Sequence, residues 1–245
     1  MPRITVEICV GDVSSALAAQ AGGADRVELC DNLAVGGTTP SAGAIAFALG
    51  HLTIPAHVMI RARGGDFVVS PVEMAVMVRD IQIAKELGAP GVVLGALLPD
   101  GSLDRPLLER MITLARPMSV TFHKAFDQTP DPLRALDELV ELGIDRVLTS
   151  GGRPTAREGA PLLAQLVDRA RGRIAIMAGG GLTLGDLQAM ITEVGLRELH
   201  FGSAAAVIEP GRVIRSALDG SDGSWSRVEP SKVSALMARV DTLAQ

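Results

Sequence analysis

The chain has 245 residues, of which 47% are hydrophobic and 21% are charged, a composition typical of globular proteins with a substantial core. Its formal net charge of −5 argues against a general nucleic-acid-binding surface, which would be basic. Because the chain contains five Phe, one Trp and no Tyr, aromatic platforms for stacking bases or sugars are not expected. No apolar run approaches the roughly eighteen residues of a membrane span.

The first ten residues, MPRITVEICV, lack the apolar segment and the small-residue cleavage site of a secretory signal. We therefore expect a cytoplasmic protein that has no membrane partner. The sequence contains two cysteines, Cys9 and Cys30. In a reducing compartment these residues are expected to be free thiols and not a structural disulfide.

Short apolar strands alternate with longer helical stretches from the start of the chain. Strands are predicted at 4–10, 26–30, 56–61, 91–95, 119–126, 146–150, 173–178 and 198–202. The clearest helices are predicted at 12–21, 72–87, 131–142 and 183–193. Eight strands that alternate with helices imply parallel pairing through crossovers.

The closed form of this alternation is an α/β fold, a single (β/α)8 TIM barrel over residues 1–245. The alternative is an open doubly wound sheet, which would normally have a Gly-rich turn after its first strand. The turn here reads CVGDVSS and lacks that pattern, so the barrel is favoured. Residues 219–230 are polar and Gly/Ser-rich and are predicted to form a surface loop or lid, followed by a helix at 231–243.

Strand alternation predicts an unusually polar barrel interior. Side chains on a strand point alternately to its two faces, and the outer face must be apolar because helices cover it. In the first strand this turns Glu7 and Cys9 inward, and in the second strand Glu28 and Cys30. The inward set also includes His57, Met59, Arg61, Thr121, His123, Met177 and His200.

Buried ionised groups need partners, because an unpaired buried charge costs several kcal/mol. These groups either form a charge-paired core, for example through an Arg61–Glu28 pair, or serve a ligand at the barrel mouth. In the second interpretation Glu7, Glu28, Arg61 and His123 are candidate catalytic residues. Glu7 and Glu28 could share a proton, since close like charges raise one pKa. His123 ranks ahead of the next residue, Lys124, because alternation points that lysine outward unless the strand has already ended.

Glycines follow the last two predicted strands. TIM barrels frequently bind phosphate at the loops after strands seven and eight, where glycine lets backbone N–H groups approach an anion. The candidate anion-binding residues are Gly180, Gly181, Gly202 and Ser203. A tight turn and helix cap would explain the same glycines without a ligand. The stretch GGGLTL does not complete the dinucleotide fingerprint, so neither NAD nor flavin is expected.

Several motifs together resemble one known family. VEIC at 6–9, GADRVELC at 23–30, GGTTPS at 36–41, RGGDF at 63–67, TFHKAFD at 121–127 and LTSGG at 148–152 are similar to the copper homeostasis protein CutC family. This resemblance implies a TIM barrel and a role in copper tolerance, through cytoplasmic copper binding or trafficking. It also points to Cys9 and Cys30 as the candidate copper ligands.

Cu(I) is a soft ion that prefers thiolate and thioether ligands. If Cys9 and Cys30 lie at equivalent heights on adjacent strands, about 4.8 Å apart, two thiolates could hold one Cu(I) ion. Buried cysteines also commonly serve as small apolar residues. The expected partners are therefore a copper ion or a small anionic ligand, with no nucleic acid. A homo-oligomer, with a dimer favoured, is expected, and the small apolar face of 14–24 could pack against the barrel or against a second subunit.

Overall fold

The computed structural model describes residues 3–210 and 223–243. Within these ranges eight parallel strands close into a barrel in chain order, which confirms the predicted TIM-barrel fold. The strands are β1 (Thr5–Val10), β2 (Arg26–Leu29), β3 (Ala56–Met59), β4 (Gly91–Leu94), β5 (Ser119–Phe122), β6 (Arg146–Thr149), β7 (Ala175–Gly179) and β8 (Glu198–Phe201). The β1 strand pairs with both β2 and β8, so the first and last strands meet at the closure of the barrel.

Helices cover the outside of the barrel. They are α1 (Val13–Ala21), α2 (Ala42–His51), α3 (Pro71–Glu86), α4 (Arg105–Ala115), α5 (Pro132–Glu141), α6 (Ala160–Ala170) and α7 (Pro230–Leu243). Polar side chains start most of them: Asp12, Ser70 and Asp131, for example, each accept a hydrogen bond from a backbone N–H of the first turn. Such caps satisfy N–H groups that have no partner within the helix. The core lies between these helices and the outward-facing apolar residues of the strands.

Two predicted elements differ from the structure. The strand predicted at 119–126 ends at Phe122, and a 3₁₀ helix, Lys124–Gln128, follows it. In this helix the Asp127 carboxylate accepts hydrogen bonds from the backbone N–H groups of Ser150 and Gly152 in the β6–α6 loop. The helix predicted at 183–193 contains only a π-helical turn, Ala189–Glu193. The segment before it forms a turn that Asp186 stabilises, because the Asp186 carboxylate accepts hydrogen bonds from Thr183 N and Oγ1 at 2.9 and 2.7 Å.

A two-stranded antiparallel sheet lies beside the barrel mouth. Its strands are β9 (Ala206–Glu209) and β10 (Trp225–Val228). The segment 219–230 was predicted to be a loop, but its residues 225–228 form β10 because their backbone groups pair with β9; residues 219–222 lie outside the described ranges. Helix α7 corresponds to the helix predicted at 231–243.

Helix α7 packs on helix α1, and Gly22 marks the contact. A Cβ atom at Gly22 would lie 2.5 Å from Cβ of Val233, so the close approach requires glycine here. The small apolar face of 14–24, predicted to cover the barrel or a second subunit, therefore contacts the last helix of the same chain. The oligomeric state stays a prediction.

Within the described ranges, we find no helix with the length and apolar character needed to cross a membrane.

Candidate functional site

A cavity of about 1350 Å³ opens at the carboxyl ends of the barrel strands. This is the face at which TIM barrels hold their active sites. Cys9, Glu28 and His200 lie at its floor, and side chains from the loops and from β10 form its walls. The walls include Leu33, Val35, Arg61, Phe67, His123, Lys124, Asp127, Arg153 and Trp225.

The two thiols and an acid form a compact cluster in the floor. A sulfur or oxygen atom from each of Cys9, Glu28 and Cys30 lies within 4.8 Å of the others. The Cys30 thiol donates a hydrogen bond to Oε2 of Glu28 at 3.5 Å. Cys9 is half-buried and borders the cavity, whereas Cys30 is buried. Alternation thus predicted correctly that both cysteines face inward.

Their relative height differs from the sequence prediction. Strand register pairs Cys9 with Glu28, and Cys30 lies two residues further along β2, just past the end of the strand. The cysteines are therefore diagonal neighbours and not directly opposite each other. The two sulfur atoms nevertheless lie within 4.8 Å of each other.

His200 connects this cluster to Glu7. Its Nδ1 lies 2.8 Å from Oε1 of Glu7, and its Nε2 lies 3.8 Å from Oε2 of Glu28. Burial by itself would lower the pKa of His200, but the Glu28 charge and hydrogen bonds to Cys9 and Glu7 raise it well above its usual range. Sequence reasoning turned His200 inward without assigning it a role. Its register position opposite Glu7 was the missing information.

The titrations of the cluster follow from its contacts. A hydrogen bond from Cys30, together with one from His200, lowers the pKa of Cys9 well below its usual value, while the same Cys9–Cys30 contact and burial raise the pKa of Cys30. Burial and the neighbouring Cys9 raise the pKa of Glu28 well above its usual range. The first thiolate of the pair therefore forms at Cys9.

Below the cluster lies a network of ion pairs that the sequence did not predict. Arg26 donates from Nε to Oε2 of Glu7 at 2.5 Å and from a terminal nitrogen to Oε2 of Glu198 at 2.8 Å. Arg146 donates to both carboxylate oxygens of Glu198, one of which it shares with Arg26, and it also donates to the hydroxyl of Thr121 at 3.3 Å. Although burial opposes it, the charge of Arg26 and the bond from His200 lower the pKa of Glu7 well below its usual range. Glu7 therefore sits in a structural ion-pair network as well as beside His200.

Arg61 does not pair with Glu28, in contrast to the pairing considered from sequence. Its two terminal nitrogens donate to the carbonyl oxygens of Val35, Gly37 and Gly65 at 2.7–3.0 Å. The guanidinium also lies over the ring of Phe67, with its carbon 4.8 Å from the ring centre. These carbonyl groups belong to the loops after β2 and β3, whose backbone orientation cannot be read from the sequence. Because the guanidinium binds them, it does not pair with Glu28.

His123 is buried and borders the cavity, but the structure puts Lys124 beside it. Because β5 ends at Phe122, alternation no longer applies, and Lys124 also lines the cavity. The outward orientation was predicted for Lys124 only if the strand continued to that residue, and it does not. Burial and the neighbouring Arg61 charge lower the pKa of His123 to about 3, so its ring is neutral near pH 7.

The four candidate anion-binding residues separate into two places. Gly202 and Ser203 line the cavity. Gly180 and Gly181 form the turn after β7 with φ values of 112° and 65°, a backbone region open to glycine, and are not among the residues that line the described cavity. A Cβ atom at Gly180 would lie 3.2 Å from Nζ of Lys124, so this turn adjoins the cavity wall.

Fold and site define a class: a single-chain (β/α)8 barrel with a cluster of thiols, acids and histidine at its mouth. The model of the CutC family matches residues 4–205, so the chain belongs to the CutC family, as the motifs predicted. The mouse protein named copper homeostasis protein cutC homolog is 45% identical over 97% of this chain and 87% of its own length.

Other relatives agree with this family membership. A CutC family protein from Bacteroides thetaiotaomicron is 46% identical over 84% of both chains. The crystal structure of CutC from Streptococcus agalactiae superimposes with a TM-score of 0.77 at 38% identity, covering 82% of this chain and 98% of that chain. Both the family and the barrel are therefore shown by sequence and by structure.

Proposed function

We propose that this protein serves copper homeostasis in the cytoplasm by binding Cu(I) through the sulfur atoms of Cys9 and Cys30. The observation that carries the proposal is the cluster of both cysteines with Glu28, whose ligand atoms lie within 4.8 Å of one another. The relatives named as copper homeostasis proteins support it.

The donor set of the cluster fits a soft monovalent ion. Cu(I) prefers sulfur ligands, and thiols must lose their protons to bind it. Cys9 has a lowered pKa and forms the first thiolate, so it is the expected entry ligand on the cavity side. Cys30 lies deeper, packed with Met59 and Val93, and would supply the second sulfur in an apolar environment.

Gly37 leaves room for this arrangement. A Cβ atom there would lie 3.1 Å from Sγ of Cys30, and its φ of 87° also favours glycine. An ionised Glu28 could accept the proton that a thiol releases, because its Oε2 lies 3.5 Å from Sγ of Cys30 and its Oε1 has no hydrogen-bond partner among the described residues. Met177 accepts a hydrogen bond from Arg26 in the ion-pair network, and the charges that act on His57 are those of the same network, whereas Met59 borders the cavity.

An anaerobic Cu(I) titration against a competing chelator tests the proposal. We expect the wild type to bind one Cu(I) ion and the Cys9→Ser/Cys30→Ser double variant to lose that site. Met177→Leu is the matched control, because it removes a sulfur that contacts Arg26 and lies outside the cavity lining. Equal Cu(I) affinity for the wild type and the double variant would contradict a thiolate site.

The volume of the cavity favours a second candidate function. We propose as the alternative an enzyme of unassigned reaction that acts on a small phosphorylated or anionic substrate at this face. Glu28, Arg61 and His123 border the cavity and would contact the substrate. Its anionic group would bind at Gly202 and Ser203, with the Gly180–Gly181 turn behind them. Glu7 would orient His200. Crystals grown with sulfate or phosphate test this alternative. We expect the anion to be bound in the wild type and lost in Ser203→Ala. A site that stays empty in the wild type would contradict the alternative.

A further inference from the structure

We propose that the cavity holds an oxyanion group of a small organic anion between His123 and Lys124, at a site separate from the sulfur atoms. This inference deepens the second candidate function, because it assigns the anion to side chains that the sequence did not place together. It does not depend on copper binding. Three features of the described residues carry it: the size of the cavity, an unpartnered buried ring nitrogen and a fixed cation.

The cavity is much larger than a metal ion requires. Its volume is about 1350 Å³, whereas a water molecule, which is comparable in size to a bound ion, takes about 30 Å³ of liquid. Pockets for organic ligands commonly measure about 300–1,000 Å³ and combine apolar walls with a few polar groups. Leu33, Val35, Phe67 and Trp225 supply apolar wall here.

His123 has a hydrogen-bond donor without an acceptor among the residues that the structure describes. Its Nδ1 accepts a hydrogen bond from the backbone N–H of Ala125 at 3.2 Å, so in the neutral ring Nε2 carries the hydrogen. Nε2 is buried and has no hydrogen-bond partner among the described residues. The residue is 3% exposed and lines the cavity. Buried polar atoms in native proteins are almost always bonded, so we attribute the missing acceptor to a ligand in the cavity that His123 lines.

The chain makes specific room for this ring. A Cβ atom on Gly95 would lie 2.4 Å from Cε1 of His123, so the ring occupies space that any other residue at position 95 would fill. Phe67 packs against the ring with its centre 4.8 Å away. The ring is thus fixed in place, and its donor is fixed with it.

Lys124, the next residue along the chain, supplies a cation to the same cavity. Its Nζ lies 4.0 Å from Oδ2 of Asp127, and its side chain is 44% exposed toward the cavity. Asp127 already accepts hydrogen bonds from the hydroxyl of Thr149, from the N–H and hydroxyl of Ser150 and from the N–H of Gly152, at 2.5–3.0 Å. The carboxylate therefore positions the ammonium group and leaves its hydrogens available for a ligand.

The surrounding charges also favour an anion. Arg61 and Arg153 line the same cavity, and Nε of Arg61 is buried without a hydrogen-bond partner among the described residues. Of the three acids among the described residues that line the cavity, Asp12 caps α1 and Asp127 is bonded to the loop after β6. The third, Glu28, accepts a hydrogen bond from the Cys30 thiol. A charged donor that bonds an oxyanion forms one of the stronger hydrogen bonds in proteins.

Calorimetric titration with citrate, malonate and inorganic phosphate tests this site, with glycerol as the uncharged probe. Fluorescence provides a second readout, because Trp225 is the single tryptophan of the sequence and borders the cavity. We expect at least one of the three anions to bind and to change the Trp225 emission, and glycerol to do neither. Binding of phosphate alone would place an inorganic anion here and overturn the organic part of the proposal.

Substitutions locate the binding. Lys124→Met should weaken anion affinity by about tenfold or more, the effect of losing one charge-assisted contact. Lys85→Met is the matched control, because Lys85 bonds the carbonyl groups of Leu114 and Arg116 at the C-terminal end of α4 and does not line the cavity. His123→Phe removes the donor and keeps a ring. We expect this variant to lose anion binding while Lys124 is still present. Its circular dichroism spectrum should match that of the wild type, which shows that the variant is folded.

The outcomes separate this site from the copper site. Anion binding that persists in Cys9→Ser/Cys30→Ser and disappears in Lys124→Met supports the proposal whether or not copper binds. If none of the three anions binds the wild type, or if Lys124→Met binds them as tightly as the wild type, the proposal is overturned.

Discussion

The barrel interior contains two polar layers that differ in how fully their groups are paired. In the lower layer, Arg26 and Arg146 hold Glu7 and Glu198 in a chain of short ion pairs. In the upper layer, Glu28, Arg61 and His123 each have a buried polar atom without a partner among the described residues. In the lower layer, the buried polar atom without a hydrogen-bond partner among the described residues is Nδ1 of His57.

This difference distinguishes a polar group that supports the fold from one that serves a ligand. Removing one member of a buried ion pair leaves the other charge uncompensated, so the lower layer should control stability. The upper layer borders the cavity, where a ligand can complete its hydrogen bonds. Its substitution should affect binding more than folding. The four predictions below test that contrast.

The largest effect is expected at Arg26, in the lower layer. Arg26→Met should destabilise the protein by about 3–5 kcal/mol, because Glu7 is fully buried and would lose its cation. Urea unfolding followed by circular dichroism measures this change. Arg79→Met is the control: that arginine pairs with Glu86 at the surface and should contribute less than about 1 kcal/mol. Equal losses in the two variants would remove the distinction between the layers.

The second prediction concerns acid sensitivity. Burial lowers the pKa of His57 to about 4 and, with the Arg61 charge, the pKa of His123 to about 3. An unfolded imidazole takes up its proton near pH 6.5, so below that pH the unfolded state binds more protons than the native state. Each ring therefore reduces stability as pH falls, by about 1.4 kcal/mol per pH unit.

Denaturation from pH 7 to 4 checks this linkage. His57→Gln and His123→Gln should each flatten the slope of unfolding free energy against pH in this window, whatever their effect on stability at pH 7. The slope is the readout that a loss of packing would not change. Curves parallel to the wild type for both variants would show that neither ring stays uncharged in the folded protein.

The third prediction uses two glycines of the β4 region that face the two histidines. A Cβ atom at Gly91 would lie 2.5 Å from the His57 ring, and one at Gly95 would lie 2.4 Å from the His123 ring. Gly91→Ala and Gly95→Ala should each cost about 1–3 kcal/mol of stability through overpacking. Gly95→Ala should in addition weaken anion binding, since it moves the His123 donor.

Gly50→Ala is the control for these variants. Nothing lies within 4 Å of a Cβ atom at Gly50, which is part of helix α2, so alanine there should stabilise by up to about 1 kcal/mol. Thermal unfolding measures all three. If Gly95→Ala were as stable as the wild type and bound anions normally, the fixed position of His123 would be wrong.

The smallest effect on stability is expected at Lys124. Its ion pair with Asp127 is partly exposed and 4.0 Å long. Lys124→Met should therefore change the free energy of unfolding by no more than about 1 kcal/mol. A destabilisation as large as that of Arg26→Met, in the same urea assay, would place Lys124 among the structural residues.

The fold and the inward-facing residues could be predicted because they depend on the spacing of apolar residues along the sequence, which alternates in a strand. Alternation correctly turned Glu7, Cys9, Glu28 and Cys30 into the barrel, since the outer face of each strand must be apolar. The partners of these residues could not be predicted, because they depend on register. Cys9 lies opposite Glu28, and Glu7 lies opposite Arg26 on one side and His200 on the other.

Loops account for the remaining errors. Arg61 binds carbonyl groups of two loops, and no sequence pattern indicates where a backbone carbonyl will point. Lys124 reaches the cavity because β5 ends two residues before it, and strand boundaries are the least certain part of a prediction from sequence. The acid that fixes Lys124 lies three residues later, in the motif HKAFD, so that spacing was the available signal.

The contact between Glu7 and His200 also has a consequence for the order in which the protein acquires its site. These residues are separated by 193 positions, and they meet only where β1 pairs with β8 at the closure of the barrel. A chain emerging from the ribosome has Cys9, Glu28 and Cys30 early but lacks the histidine until almost all strands have been made. The complete cluster therefore belongs only to the closed barrel, and a nascent or truncated chain cannot present it.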